Sequence, residues 1–296
     1  TQKNQDSIVF QIQKLKEEAS KFYTQENVLN VIEKLENALK IYDDKNITNK
    51  ALLFGLYVDL SHAYGDESVR NEERSLFFVS KAKAIIQNYD VNAYDLINFY
   101  ISLGAIESDE LNNKEALGYI TKAFTLLKER ESEVINKIGK NSIIKLNANL
   151  LEWFVSLHFT MGNETELLKA HKKLESFYKE HSNHTDLKFY FAQGSFRVGR
   201  FYQPNDASKA EIYFNKAEEK GDNNIKLYAN ICKGFAFLNA KEFKKVPAII
   251  KKLESFDNLN RFQELNIHEI AARCYSETNN IPKLIEHTNK ALLLLN

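Results

Sequence analysis

The stretch from residue 98 to residue 128 constrains the fold of this chain more than any other, because it contains two helical patterns separated by a short polar break. Leu103, on the first pattern, is followed after thirteen residues by Ala116 and after twenty by Ala123. Small residues such as Gly104 and Ala116 allow two helices to approach closely. The stretch therefore predicts a pair of antiparallel helices joined by a tight turn.

This spacing resembles the tetratricopeptide (TPR) repeat, which has Leu-Gly on its first helix and small residues at fixed positions of its second. The late small or apolar position of the second helix recurs at residues 38, 82, 123, 174, 217, 253 and 291, in steps of 36 to 51 residues. Steps this long resemble the TPR arrays of bacterial sensory proteins more than the strict repeat of about 34 residues.

The resemblance implies an all-α fold: a right-handed, TPR-like α-solenoid of about seven helix-turn-helix repeats. It also implies a single domain over residues 1–296, because no Gly/Ser/Pro linker interrupts the pattern. The predicted repeats are 7–44, 48–90, 92–130, 141–181, 185–221, 224–257 and 259–296. Within them, Gly221 is expected to be a left-handed helix stop and Pro247 to lie in the first turn of a helix.

Charge and hydropathy exclude several classes of protein. Lys and Arg balance Asp and Glu at 40 each, whereas a surface dedicated to nucleic acid would leave a basic surplus. We therefore expect no direct nucleic-acid binding by this segment. No apolar run reaches the 18 residues of a membrane span. Two cysteines, Cys232 and Cys274, are too few for a disulfide framework or a zinc site.

No set of residues indicates catalysis. The segment 138–142 contains Gly-Lys-Asn-Ser but lacks the leading glycine and the preceding strand of a phosphate loop, so we interpret it as a turn between helices. His181 and His184 have two acidic neighbours but no further ligands at metal-site spacing. The sequence predicts a protein that is not an enzyme, with no catalytic residue, no cofactor and no bound metal.

The first helices of a TPR array line its concave groove, where the family binds extended peptides or helices of protein partners. Asparagine amides can pair with a peptide backbone, and aromatic rings can anchor apolar side chains. The alternative is that the same residues only pack between helices. By register, the groove candidates are His62, Asn98, Ile101, Asn149, Glu152, Phe159, Lys188, Phe191, Tyr228, Ile231, Phe235, Asn266, Glu269 and Arg273.

One role within the family is not expected. Co-chaperone TPR domains clamp a terminal carboxylate with basic and amide side chains at set positions of their first helices. The matching positions hold Ser102, Trp153, Ala192 and Cys232. The carboxylate clamp is therefore not predicted.

Three functional hypotheses remain. The first is a peptide- or protein-binding sensory or regulatory module of a larger bacterial signalling protein, resembling the exported TPR sensors of Bacteroidetes-type regulators; it favours an extracytoplasmic over a cytoplasmic location. The second is a cytoplasmic quorum-peptide receptor of the Rap/PlcR type, for which residues 1–25 are too short to form the expected N-terminal domain. The third is an assembly scaffold, with a protein partner or a homodimer formed through the apolar C-terminal helix near Leu292 to Leu295. That apolar end also leads us to expect a further segment after it in the native chain.

Overall fold

The structure is a computed structural model that describes residues 2–23, 27–66 and 68–295. Its described residues form fifteen α-helices and no strand, which confirms the all-α prediction. The chain divides into two compact units, residues 1–140 and 141–296. The prediction of a single continuous domain stays a prediction.

The unit 1–140 consists of three helix pairs and one short helix. Within each pair the two helices pack on each other, and α7 packs against both α5 and α6. The first helices of neighbouring pairs also touch, since α3 contacts α5. The helices are α1 (Gln2–Tyr23), α2 (Val28–Asp44), α3 (Lys50–Gly65), α4 (Glu72–Ile86), α5 (Ala93–Asp109), α6 (Asn113–Glu129) and α7 (Glu131–Ile138).

The core of this unit follows the apolar pattern of the sequence. Leu103, Ala116 and Ala123, whose spacing predicts a helix pair, are all buried between α5 and α6. Phe54 of α3 and Phe99 of α5 are fully buried and meet edge to face, with ring centroids 5.4 Å apart. The contact joins two first helices, so the core runs from one helix pair to the next.

The unit 141–296 repeats the same organisation with different side chains. Helices that follow one another pack together from α9 to α15, and α12 contacts both α10 and α14. Fully buried Phe214 and Phe237 lie in its core. The helices are α8 (Lys140–Thr160), α9 (Glu164–Glu180), α10 (Leu187–Tyr202), α11 (Ala207–Lys220), α12 (Asn223–Asn239), α13 (Val246–Leu253), α14 (Arg261–Glu277) and α15 (Ile281–Leu295).

Many helices begin at an asparagine or aspartate. Their side-chain oxygens accept a hydrogen bond from the backbone N–H three residues later, which satisfies a donor that the first helical turn leaves unpaired. The residues with this role are Asn27, Asn49, Asn71, Asn92, Asn163, Asp206, Asp222 and Asn260. The many asparagines of the chain thus help to set where its helices start.

Five helices end in the same way. In each, the second residue after the last helical residue has a positive φ. The N–H of the residue that follows it donates to the carbonyl oxygen five residues earlier, at 2.7–3.1 Å. This is the Schellman stop, in which a left-handed residue lets the chain turn back. The left-handed residues are Asn46, Leu111, Gly162, Lys241 and Asn279, which follow α2, α5, α8, α12 and α14.

The structure tests three local predictions about Pro247, Gly221 and the segment after α6. Pro247 lies in the first turn of α13, as expected. The prediction for Gly221 was wrong: its φ is −76°, which is not left-handed. A glycine is needed there for space instead, because a Cβ atom would lie 2.7 Å from the carbonyl oxygen of Ala217. Helix α7 was not predicted, and Gly139, with φ +82°, forms the turn between it and α8.

Candidate functional site

A groove with a volume of about 380 Å³ opens on the face where α3 and α5 meet. It contains two of the residues predicted to line a binding surface, His62 and Ile101. We call it the α3–α5 groove. It is lined by Ser61, His62, Gly65, Asp66, Ser75, Ile101, Ser102, Ala105, Ile106 and Asp109.

The floor of the α3–α5 groove has no hydroxyl proton left to donate. Ser61 Oγ donates to the carbonyl oxygen of Val58 at 2.8 Å, and Ser75 Oγ donates to that of Ser61 at 2.8 Å. Ser102 Oγ donates to the carbonyl oxygen of Asn98 at 2.9 Å. All three serines are buried. The small serine side chains therefore leave space in the groove. Their hydroxyl protons are already donated to backbone carbonyls and are not available to a ligand.

His62 and Ser102 form a hydrogen-bonded pair between α3 and α5. Because the Ser102 hydroxyl donates to Asn98, we assign the proton of the pair to His62 Nε2. A protonated Nε2 cannot take a proton from Ser102. In addition, Ser102 lies inside a helix, where backbone N–H groups are already bonded and cannot stabilise an oxyanion. The geometry of this pair suits a structural link between α3 and α5, not acyl transfer.

Two carboxylates, Asp66 and Asp109, also line the groove. Asp66 Oδ1 accepts hydrogen bonds from the backbone N–H and the hydroxyl of Ser68, at 2.9 and 2.6 Å. Neither aspartate forms an ion pair within the described part of the chain, and no Lys or Arg lines the groove. Elsewhere in this unit, Asp59 pairs with Lys16 at 3.0 Å and Glu36 with Arg74 at 2.9 Å. The groove is thus an uncompensated acidic site.

A second cavity, of about 480 Å³, lies at the other ends of α3 and α5. Asn49 and Asn92, which cap those helices, line it together with Lys16 and Asp95. Lys16 reaches so far inward that a Cβ atom on Gly55 would lie 2.7 Å from its Nζ. No pattern in the sequence predicts this set of residues, because they come from separate helices.

In the unit 141–296, several predicted residues make contacts across neighbouring first helices, and one of these contacts joins two predicted residues. Glu152 of α8 accepts from Arg197 Nε of α10 at 2.7 Å, and its side chain is only 13% exposed. Tyr228 accepts at 3.3 Å from Gln263 Nε2. The guanidinium carbon of Arg273 lies 5.9 Å from the ring centroid of Phe235.

The other predicted residues differ in their exposure. Phe191 and Ile231 are buried, so they contribute packing and not accessible surface. Lys188 and Glu269 are exposed, and Glu269 lies 3.6 Å from Arg273. The Asn266 amide already donates to the Phe262 carbonyl oxygen at 2.8 Å. The half-buried members of the set are Asn98, Asn149, Phe159 and Asn266.

The residues with reactive or metal-binding side chains are placed as follows. Burial raises the pKa of the Cys232 thiol to about 11 and also raises the pKa of Cys274, so both favour the unreactive thiol form. The rings of His181 and His184 are 6.2 Å apart. No group of three or more side chains suited to a metal ion occurs among the described residues.

Comparison with protein-family models gives no match for this chain, and comparison with curated proteins gives none either. None of the helices in the described ranges is both long and apolar enough to cross a membrane. The structure itself establishes an all-helical protein whose described helices pack in sequential pairs, an arrangement consistent with a repeat array.

Proposed function

We propose that the helix pairs are TPR-like repeats of a right-handed array, and that the protein is a non-catalytic module that binds a peptide or a protein segment along its first helices. The observation that carries this proposal is the α3–α5 groove, an open space on the contact between two first helices. Its volume of about 380 Å³ is within the usual range of ligand sites.

The first helices supply the side chains that a peptide site needs. Ile101 and Ile106 offer apolar surface inside the groove, whereas His62 and Asp66 offer polar groups at its edges. Half-buried Asn98 lies one turn before Ser102 on the same helix. Backbone recognition by an amide, combined with an apolar pocket for a side chain, is a common way of binding a peptide.

A sensory or regulatory role in a bacterial signalling protein is the wider setting that we propose for this module. It rests on the length of the repeats, whose steps of 36 to 51 residues resemble the TPR arrays of bacterial sensory proteins. A catalytic role receives no support from the His62–Ser102 pair, because the Ser102 hydroxyl donates to Asn98 and Ser102 lies inside a helix.

A peptide screen with a groove-filling variant tests this proposal. Nonapeptides of varied composition, each with a scrambled control, are titrated against the full chain by fluorescence polarisation. Ala105→Trp should fill the groove and weaken binding of any selected peptide about tenfold or more, whereas Ala84→Trp, at an exposed position of α4, should not. The proposal is rejected if no peptide binds better than its scrambled control, or if both variants bind equally well.

An assembly role is the second candidate, and one observation favours it. Helix α15 exposes a row of large apolar side chains, and exposed apolar patches commonly mark interaction sites. They are Ile281, Ile285, Leu292, Leu293 and Leu295, exposed by 53–76%. Analytical ultracentrifugation over a wide concentration range tests it: a dimer that Ile285→Lys dissociates would support the candidate, and a monomer at every concentration would contradict self-association.

A further inference from the structure

We propose that the α3–α5 groove is a pocket for one basic side chain, Lys or Arg, of a bound peptide. This inference rests on the proposed function and specifies the ligand of the same site. Three features of the groove carry it: its carboxylates, its apolar wall and its open volume.

The first feature is unbalanced charge. Asp66 and Asp109 face the groove, and no described cation neutralises either of them. Asp66 keeps Oδ2 available because its two hydrogen bonds from Ser68 both go to Oδ1. A carboxylate accepts strong, charge-assisted hydrogen bonds from an ammonium or guanidinium group. A cationic ligand group would therefore complete the electrostatics of this site.

The second feature is an apolar wall beside those carboxylates. Ile101, Ala105 and Ile106 come from α5, as does Asp109, which follows Ala105 after four positions and Ile106 after three. Lys and Arg bury their aliphatic stems on apolar surface while the charged group reaches a polar partner. The wall thus fits the stem of such a side chain, and the aspartates fit its head.

The third feature is the floor, which excludes other ligand groups. Ser61, Ser75 and Ser102 have already donated their hydroxyl protons to backbone carbonyls. A bound carboxylate or phosphate would meet two aspartates and few available donors, and it would be repelled. The groove therefore discriminates against anions as well as favouring cations.

The unit 1–140 as a whole also carries more acidic than basic residues. Residues 1–140 carry 18 Lys and Arg against 22 Asp and Glu, and residues 141–296 carry 22 against 18. The surplus of acid in the first unit would attract a basic peptide before contact, although salt would screen this attraction. The groove residues, not the small overall surplus, must supply the specificity.

Binding of defined peptides to the full chain tests the inference. The probes are fluorescein-labelled Gly/Ser nonapeptides with a central Arg or Lys, and matched peptides with norleucine or Glu at that position. At low ionic strength the Arg and Lys peptides should bind at least about tenfold more tightly than the norleucine peptide. The Glu peptide should bind more weakly than the norleucine peptide. High salt should reduce the preference for the basic peptides.

Variants then assign the preference to the groove. Asp109→Asn and Asp66→Asn each remove a charge and preserve an oxygen acceptor, so they should weaken the basic peptides and leave the norleucine peptide unchanged. Asp44→Asn, exposed at the end of α2, makes the same change in net charge away from the groove and should have no effect. His62→Lys places a cation in the groove and should abolish the preference.

The possible failures are distinct. If basic and norleucine peptides bind equally, or if the preference survives in both aspartate variants, the basic-side-chain pocket is wrong while peptide binding stands. If N-acetyl-lysine amide competes as strongly as the whole peptide, the site takes a small amine and the peptide assignment is wrong. If no peptide of any composition binds, the proposed function itself fails.

Discussion

Lys233 Nζ lies 2.5 Å from Glu218 Oε2, although the lysine is only 2% exposed. Asn215 Oδ1 also accepts from this ammonium at 3.0 Å, and Lys252 donates to the other oxygen of Glu218 at 2.9 Å. Burial alone would raise the pKa of the Glu218 carboxyl, but hydrogen bonds from Lys233 and Lys252 lower it to about 2. One carboxylate thus joins α11, α12 and α13.

Glu218→Ala should destabilise the unit 141–296 by about 3–5 kcal/mol, because it leaves the Lys233 charge buried without its main partner. Lys233→Met should cost much less, because the remaining Glu218 can still pair with Lys252. Urea unfolding followed by the fluorescence of Trp153, the single tryptophan of the chain, reports on this unit. Exposed Glu219→Ala is the matched control. An equal, small cost for Glu218→Ala and Glu219→Ala would contradict the prediction.

His171 is buried and neutral in the folded unit. Its Nε2 lies 2.9 Å from Ser195 Oγ, and the Tyr213 ring meets it edge to face at 5.2 Å. Burial, helped by the positive charge of Lys216, lowers the pKa of His171 from 6.5 to about 4. The unfolded chain therefore binds more protons than the folded chain below pH 6.5, and the contribution of His171 to stability is lost as the pH falls from 6.5 toward 4.

We expect this histidine to lower the free energy of unfolding by about 2 kcal/mol between pH 7 and pH 5. His171→Gln should remove that part of the pH dependence, because a glutamine does not titrate. Lys172→Gln, an exposed neighbour on α9, should retain the wild-type profile. The measurement is urea unfolding by Trp153 fluorescence at several pH values; parallel profiles for wild type and His171→Gln would refute the assignment.

The helix pairing could be predicted from the sequence because it depends on local features. The spacing of Leu103, Ala116 and Ala123 reports which helix faces are buried, and all three residues are buried. Helix α7 was missed because only Arg130 separates it from α6, so its pattern reads as a continuation. Gly221 was misread because its role depends on crowding against Ala217, which a single-residue rule does not include.

The site was harder to predict than the fold. His62 and Ile101, both selected by register, line the same groove, because register fixes the face of a helix on which a residue lies. That this groove binds a ligand stays a prediction. Register also selected Phe191, which is buried, because register does not say how much a neighbouring helix covers. Asp66 and Asp109 went unnoticed because they lie 43 positions apart and meet only through the packing of α3 on α5.

Leu111 offers a stabilising substitution. It has φ +64° and is 80% exposed, so it bears the steric cost of a left-handed residue without gaining burial. Leu111→Gly should relieve that cost and raise local stability by up to about 1 kcal/mol, even after the greater entropy of an unfolded glycine is considered. Hydrogen exchange of the α5 and α6 amides measures it. Leu76→Gly, at an exposed leucine inside α4, should instead destabilise its own helix by about 1 kcal/mol.

Gly199 of α10 lies directly against the Phe214 ring of α11. A Cβ atom there would lie 2.6 Å from Cδ1 of Phe214, whose ring is fully buried and cannot swing into solvent. Gly199→Ala gains about 1 kcal/mol in helix propensity, but overpacking costs about 1–3 kcal/mol, so we expect a net loss of stability. Gly118→Ala in α6 is the control, because no atom outside its own stretch of helix backbone lies within 4 Å of the added Cβ. Hydrogen exchange of the α6 amides should show only the gain.

A double-mutant cycle separates the clash from other effects of Gly199→Ala. Phe214→Leu replaces the ring that the new methyl group meets with a smaller side chain. The double variant should therefore lose less stability than the sum of the two single losses, by about 1 kcal/mol or more. Urea unfolding by Trp153 fluorescence gives all four free energies. Strict additivity would mean that the added methyl group does not press on the Phe214 ring, and that α10 and α11 can separate at this point without cost.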